Sequence, residues 1–406
     1  MGWPLEKLQS LCDVFTDGDW IESKNQSTEG VRLVQTGNVG EGQFKDRRDK
    51  ARFISEATFI DLKCCEIHEG DCLVSRLPDP VGRSCILPNT GEKMITAVDC
   101  TILRFNKNLM IPEFFNYFSQ SNSYLMLVES LTSGATRKRI SRKNLGLVEI
   151  PTPSIPEQKR IVALLDTVFA DLEQTRAKTE QNLKNARELF DSYLQQVFSQ
   201  KGEGWEQKKW GDMCKFIRGP FGGSLKKSMF KSEGYAVYEQ KHAIHDHIEQ
   251  LRYFVDEEKF EEMKRFELKP GELIMSCSGV TLGRASVIPK GAPKGIINQA
   301  LLKLTANDDL DIHFLKYWIR SKIFQDIIFE HAGGAAIPNV PAAKILKEIK
   351  LQIPTLEKQK IIVSEIDSMV SKRDSLLRIY TEKLAALDEL KKSILQKAFS
   401  GELTHD

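Results

Sequence analysis

One stretch of this chain occurs twice, and that repeat limits the possible folds more than any other feature. From Ile155 the sequence reads Ile-Pro-Glu-Gln-Lys-Arg-Ile-Val, runs through a long charged segment spotted with leucines, and closes at Leu194 with Leu-Gln-Gln-Val-Phe-Ser. Leu356 opens a second version, Leu-Glu-Lys-Gln-Lys-Ile-Ile-Val, which Leu395 closes with Leu-Gln-Lys-Ala-Phe-Ser. Gln158-Lys159 is echoed by Gln359-Lys360, and Phe198-Ser199 by Phe399-Ser400, about half a chain apart. A two-unit repeat at this period points to two copies of one domain plan.

Each copy of the stretch reads as one long helix. In the first, Ile161, Leu165, Val168, Leu172, Thr175, Thr179, Leu183, Ala186, Phe190, Tyr193 and Val197 step by fours and threes, with one irregularity at Leu183. That spacing is a heptad seam. In the second, Ile362, Ile366, Met369, Leu376, Tyr380, Leu387, Leu390, Ile394 and Ala398 mark a similar stripe, interrupted by Arg373. Pro156 is expected just before the first helix, and Gly202 and Gly401 just beyond the two ends. About forty helical residues make a rod of roughly 60 Å at 1.5 Å per residue. Two stripes can pack separately on two domains or against each other; the matching heptads favour a mutual antiparallel coiled coil.

At 406 residues and 41% hydrophobic content the chain is large enough for two cores. No apolar run is long enough to span a membrane, and Met-Gly-Trp-Pro-Leu-Glu-Lys lacks the regions of a signal peptide, so a cytoplasmic protein without membrane contact is expected. The eight cysteines show no CxxC spacing and read as reduced structural thiols. A net charge of +2, with 28% of residues charged, means that any basic surface must be local.

The expected division is 1–153, 154–204, 205–354 and 355–406: a domain, a helical spacer, a second domain and a second spacer. In the first domain Val31-Arg32-Leu33-Val34 and Cys72-Leu73-Val74-Ser75, set between glycines and a proline, read as strands. Phe114 to Val128 reads as one helix, and Pro151, Pro153 and Pro156 as a stiff joint. The second domain retraces this plan. Pro270-Gly271-Glu272-Leu273-Ile274 answers Glu69-Gly70-Asp71-Cys72-Leu73, Phe314-Leu315-Lys316-Tyr317-Trp318 answers Phe114-Phe115-Asn116-Tyr117-Phe118, and Gly333-Gly334-Ala335-Ala336 answers Ser133-Gly134-Ala135-Thr136. Between these anchors the halves diverge: Val31 to Arg52 has little in common with Gly219 to His247. The fold class is therefore α+β: two similar α/β domains joined by two long helices in an antiparallel coiled coil, with an internal pseudo-two-fold repeat.

The divergent inserts carry cations and amides. In the first half these are Gln35, Asn38, Arg47 and Arg48, with Arg137, Lys138, Arg139 and Lys143 downstream; in the second they are Lys226, Lys227, Tyr238, Gln240, Lys241 and His242. Arginine and lysine neutralise phosphates, and Arg, Asn and Gln can pair with base edges in a major groove. Solvated surface accounts for part of such a set in any chain this charged. Motifs for chemistry are missing: no GxxxxGK[ST], no Gly-rich dinucleotide turn, no HExxH, no GxSxG, and no Asn-Pro-Pro-Tyr or Asp-Pro-Pro-Tyr. His242, His245 and His247 lack the cysteine pair or fourfold pattern of a zinc site. Neither a catalytic residue nor a metal ligand is expected.

Two variable domains, each followed by a helix with a Pro-x-x-Glu-Gln-Lys-like opening and a Leu-x-x-x-Phe-Ser close, resemble the specificity subunit of a type I restriction and modification system. The resemblance runs through essentially the whole chain and is most specific at Ile155 to Ile161, Leu356 to Ile362, Leu194 to Ser199, Leu395 to Leu403 and Gly295-Ile296-Ile297-Asn298-Gln299-Ala300. It departs at Leu356-Glu357-Lys358, which stands where the first copy has Ile155-Pro156-Glu157, and at Arg137-Lys138-Arg139, which has no counterpart near Ala336-Ile337-Pro338.

The resemblance implies a non-enzymatic DNA-binding subunit of a bacterial defence system. Each target-recognition domain would read one half of a bipartite, asymmetric double-stranded target, and the helices would act as a ruler. Two methylating subunits carrying S-adenosylmethionine would modify one adenine per half-site, and restriction subunits, where they occur, would use ATP and magnesium. Phe198, Phe399 and Leu403 are the expected docking residues, exposed at the helix ends unless they merely close the bundle. A rival from another class is a coiled-coil scaffold that binds other proteins.

Overall fold

The structure, a computed structural model, describes residues 3–134, 136–199, 204–221, 223–279, 281–332 and 338–402. Gly202, Gly333 to Ile337 and Leu403, named above, lie outside them. The chain forms two compact units, one of Met1–Glu180 with Glu382–Asp406 and the other of Gln181–Thr381. The division falls inside the long helices and not at the prolines, because each unit takes the first half of one helix and the last half of the other.

In the first unit, strands Cys12–Asp17, Cys100–Phe105, Cys72–Ser75 and Ser84–Ile86 lie side by side in that order, all antiparallel. A second sheet runs Gln26–Ser27, Arg52–Ile54, Val31–Val34, Met94–Thr96, Glu66–Ile67, with only the third and fourth strands parallel. The second unit rebuilds the first sheet from Cys214–Arg218, Leu301–Ala306, Leu273–Ser276 and Ala285–Val287, and four strands of the second from Phe254–Val255, Tyr235–Tyr238, Gly295–Ile297 and Glu267–Leu268. Val31–Val34 and Leu273–Ser276 are buried at every position, as strands covered on both faces must be. Arg32 survives there because Asp46 and Glu92 both pair with its guanidinium.

The helix expected from Phe114 to Val128 is two: Pro112–Phe118 and Asn122–Ser130. Ser121 causes the break by turning its hydroxyl to accept the Tyr124 N–H at 3.3 Å, capping a new helix. In the second unit Ser321 separates Ile312–Arg320 from Lys322–Ala332.

The two long helices, Ile155–Ser199 and Leu356–Ser400, have 45 residues each. Pro156 lies within the first turn and not before it, at a position with no intrahelical N–H bond to lose. Both helices are fastened by a buried glutamine. Gln158 accepts the Ile111 N–H at 2.9 Å and donates to the carbonyls of Leu109 and Pro153; Gln359 accepts the Asp311 N–H at 2.8 Å and donates to Asp309 and Pro354.

Helix pairing is antiparallel in each unit. In the first, Arg176 pairs with Asp388, and Ile161, Leu165 and Phe169 share a core with Leu395 and Ala398. In the second, Phe190, Leu194 and Phe198 share a core with Ile362 and Ile366. The seam of the second helix differs from the expected stripe: Leu376 and Leu390 face solvent, while Leu377 and Leu384 turn inward. Arg373, expected to interrupt the seam, belongs to it, with its guanidinium 4.4 Å from the centre of the Phe190 ring. Lys391 sits likewise 5.3 Å from that of Phe169. Among the described residues no helix is long and apolar enough to cross a membrane.

Candidate nucleic-acid interface

In the first unit the loops gather where strand Cys12–Asp17 ends and strand Cys100–Phe105 begins. Ala97 N–H donates to the Val34 carbonyl at 2.9 Å, bringing the turn after Val34 to the Ala97-Val98-Asp99 connection. Arg139 pairs with Asp99 at 3.0 Å, and Ile140 N–H donates to Arg76 O, so the basic segment from Arg137 to Lys143 reaches the same place. Arg83 ties the loops from beneath. Its buried guanidinium donates to the carbonyls of Thr36, Val39, Leu77 and Pro80, and burial lowers its pKa from the ordinary arginine value. Four fixed acceptors around one planar cation hold a turn without a carboxylate.

Of the candidates here, Arg47, Arg137 and Lys143 are exposed and make no ion pair among the described residues. Arg48 is shared between Asp46 and Glu92, and Lys138 is held by Glu129. Gln35 is half-buried at the start of the turn. Asn38 corrects the sequence reading: its Oδ1 accepts the Gln35 N–H at 2.9 Å and its Nδ2 donates to Lys45 O, so the side chain caps its own turn.

The second unit builds the same end from other letters. Tyr238 ends its strand fully buried, and its hydroxyl donates to Pro293 O at 2.5 Å. His242 takes the slot of Asn38: Nδ1 accepts the Glu239 N–H at 2.9 Å, and Nε2 donates to Glu249 O at 3.1 Å. Burial lowers its pKa below the usual histidine value, so the ring is neutral with its proton on Nε2. Tyr238 and His242 are thus corrected from readers to framework. Residue type suggested recognition, but their polar atoms are spent on the backbone. Gln240 bonds Ser278 through both ends of its amide, and Lys241 donates to Gln250 O at 2.6 Å. Lys226 and Lys227 are exposed and unpaired among the described residues.

Phe198 and Phe399 are also corrected. Phe198 is buried against Phe314, and Phe399 packs edge-on to Phe114 and Phe118, so both close cores and neither is an exposed docking residue. Sequence reasoning passed over two exposed rings, Trp20 and Phe221; the signal was a Gly-x-aromatic triplet at matching places in the repeat. Burial pushes the Cys12 and Cys277 thiols up to about 12 and that of Cys64 up to about 11, which keeps them protonated. No group of three metal-ligating side chains occurs among the described residues.

Two copies of one mixed domain, each presenting a differently lettered loop cluster at the same end of the same sheet, define a paired recognition protein. The model of the type I restriction modification DNA specificity domain matches residues 2–183 and again 202–382, and the chain belongs to this family as a specificity subunit, the non-catalytic member of its complex. It is 25% identical over 333 residues to the EcoKI specificity subunit of Escherichia coli K12, across 75% of this chain and 68% of that one. A putative MjaX specificity subunit from Methanocaldococcus jannaschii is 22% identical across 99% of this chain and 93% of its own. In fold, a chain from a solved type I restriction-modification assembly matches with a TM-score of 0.79 at 20% identity, covering 98% of both.

Proposed function

We propose that each unit reads one half of a bipartite, asymmetric duplex DNA target. The observation that carries this is the same sheet end built twice with different cations: Arg47, Arg137 and Lys143 in one unit, Lys226 and Lys227 in the other. A shared frame with unlike loops suits unlike half-sites. Phosphate contacts from these side chains would set affinity and register, and base-edge contacts from the loops they flank would set sequence. A helix of 45 residues is about 68 Å long, ample to govern half-sites spaced by roughly one turn of B-DNA, about 34 Å.

In this reading the chain works in the cytoplasm and supplies the address. Adenine methylation belongs to two partner subunits that hold S-adenosylmethionine, and restriction to further subunits that use ATP and magnesium. Leu189 and Leu390 sit at equivalent places on the two helices, 62% and 47% exposed, one for each methylating subunit.

Methylome sequencing tests the proposal in a host expressing this chain with its methylating subunit, compared with the same host lacking only this chain. Loss of methylated adenines from one split, non-palindromic motif is expected. An unchanged methylome, with both proteins expressed and folded, contradicts it.

A further inference from the structure

The turn after the first strand of the all-antiparallel four-stranded sheet in each unit is built alike although the inserts beyond it differ. Gly18 N–H donates to Cys100 O at 2.9 Å, and Gly219 N–H to Leu301 O at 2.8 Å. A side-chain carbon on Gly18 would lie 2.3 Å from Thr96 O, and one on Gly219 1.9 Å from Asn298 O. Glycine is therefore required at both positions, because the chain lies flat on a backbone carbonyl there. Two residues further on, each turn carries an aromatic ring outward: Trp20, 71% exposed, and Phe221, 89% exposed. Neither ring has an aromatic or cationic partner among the described residues. A large apolar ring held in water twice, at the same place, calls for an occupant.

The surroundings indicate which one. Strand Cys100–Phe105 leads from this turn towards the Leu109 to Ile111 segment gripped by Gln158, so Trp20 lies at the sheet end away from the helix start. Strand Leu301–Ala306 makes the same connection from Phe221 towards Gln359. Cations belong to the same loop clusters as both rings. Arg142 reaches Thr16 and Arg139 pairs with Asp99 in the first unit; Arg218 precedes Phe221 in the second, and Lys226 and Lys227 follow it. Cationic residues in one loop cluster with an unpartnered ring match a nucleic-acid surface, where the cations take phosphates and the ring takes a base. What two divergent readers share must serve a need common to both half-sites, independent of base identity. Stacking meets that condition, because every base has a π-face.

We propose that Trp20 and Phe221 are base-stacking residues, each inserted at a base step of the half-site read by its own unit. This rests on the DNA reading above.

The test uses the full chain in complex with its methylating subunits, a duplex carrying the motif recovered from the methylome, and a scrambled duplex. Trp20→Ala and Phe221→Ala should each weaken binding of the motif duplex by roughly ten- to one-hundred-fold, the range of one lost base stack. The slope of affinity against salt should not change, since no phosphate contact is removed. Trp20→Phe should bind within about threefold of the parent, because a ring remains to stack. The Trp20 emission, taken as the difference between parent and Trp20→Phe, should be quenched by the motif duplex. Melting temperatures should match, as neither ring supports a core. Parent-like affinity of both alanine variants, with Trp20 emission unmoved by DNA, overturns the assignment and leaves the DNA reading intact. Loss of the methylating subunits from the variants, with DNA affinity kept, also overturns it and makes the rings a protein contact. A parent complex that binds neither duplex sinks the DNA reading and this assignment together.

Discussion

Gln359 reproduces every side-chain hydrogen bond of Gln158: from the first turn of a long helix, one backbone N–H accepted and one carbonyl donated to in the segment that precedes a domain helix, and one carbonyl donated to at the proline just before the long helix itself. Both side chains are fully buried. The bond set fixes the angle at which each helix leaves its domain, and no other residue type supplies one acceptor and two donors in that geometry. Replacing Gln158 by alanine removes the partner of three backbone groups, one of them buried and two half-buried, and should cost about 3 kcal/mol. Hydrogen exchange should show lost protection in the sheets of the first unit for Gln158→Ala and of the second unit for Gln359→Ala. Gln158→Glu should be worse, since a carboxylate keeps the acceptor but sets charge against two carbonyls.

His242 makes the second unit sensitive to acid. Its folded pKa is lowered, so below the ordinary value of about 6.5 the unfolded chain binds the proton more readily than the folded one. The stability it contributes is complete above that value and is lost as pH falls through the window beneath it, by up to about 1.4 kcal/mol per pH unit. Denaturant titrations between pH 7 and pH 5 should show this fall in the parent and a flatter profile in His242→Gln, whose amide can accept from Glu239 and donate to Glu249 without ionising.

Lys226 and Lys227 should account for part of the salt dependence of DNA binding. Each alanine substitution should reduce the slope of log affinity against log salt by about 0.9, if each lysine neutralises one phosphate. Lys241→Ala should leave the slope unchanged, because its ammonium is already committed to Gln250 O. Anisotropy titrations over a range of salt concentrations separate the two cases.

Leu189 and Leu390 predict a stoichiometry. A single glutamate substitution at either should leave one methylating subunit bound, and the double variant none, by native mass spectrometry. Their exposure makes an effect on folding beyond about 0.5 kcal/mol unexpected.

The repeat, the two helices and most strands are legible in the sequence because they rest on periodicity, which survives without coordinates. What was not legible follows from atoms whose partners lie far along the chain. Arg373 looks like a break in a seam until Phe190 is seen beneath it, and Leu376 and Leu390 look like seam residues because apolar letters mark a stripe but do not fix its phase. Asn38, Tyr238 and His242 have the chemistry of readers, yet their hydrogen-bonding capacity is used up by backbone a few residues away or, for Tyr238, by Pro293. The exposed rings could have been found. Aligning Gly18 with Gly219 brings Trp20 onto Phe221 with no further information.

Phe399 completes the core around Phe114 and Phe118, with Leu395 and Ala398 beside it. The unit that a ribosome begins first is therefore the one it finishes last, because nearly three hundred residues must emerge between Phe114 and the ring that covers it. Until then the nascent first domain keeps an open apolar face. The second unit, drawn from one unbroken segment, has every residue it needs as soon as Thr381 has been added.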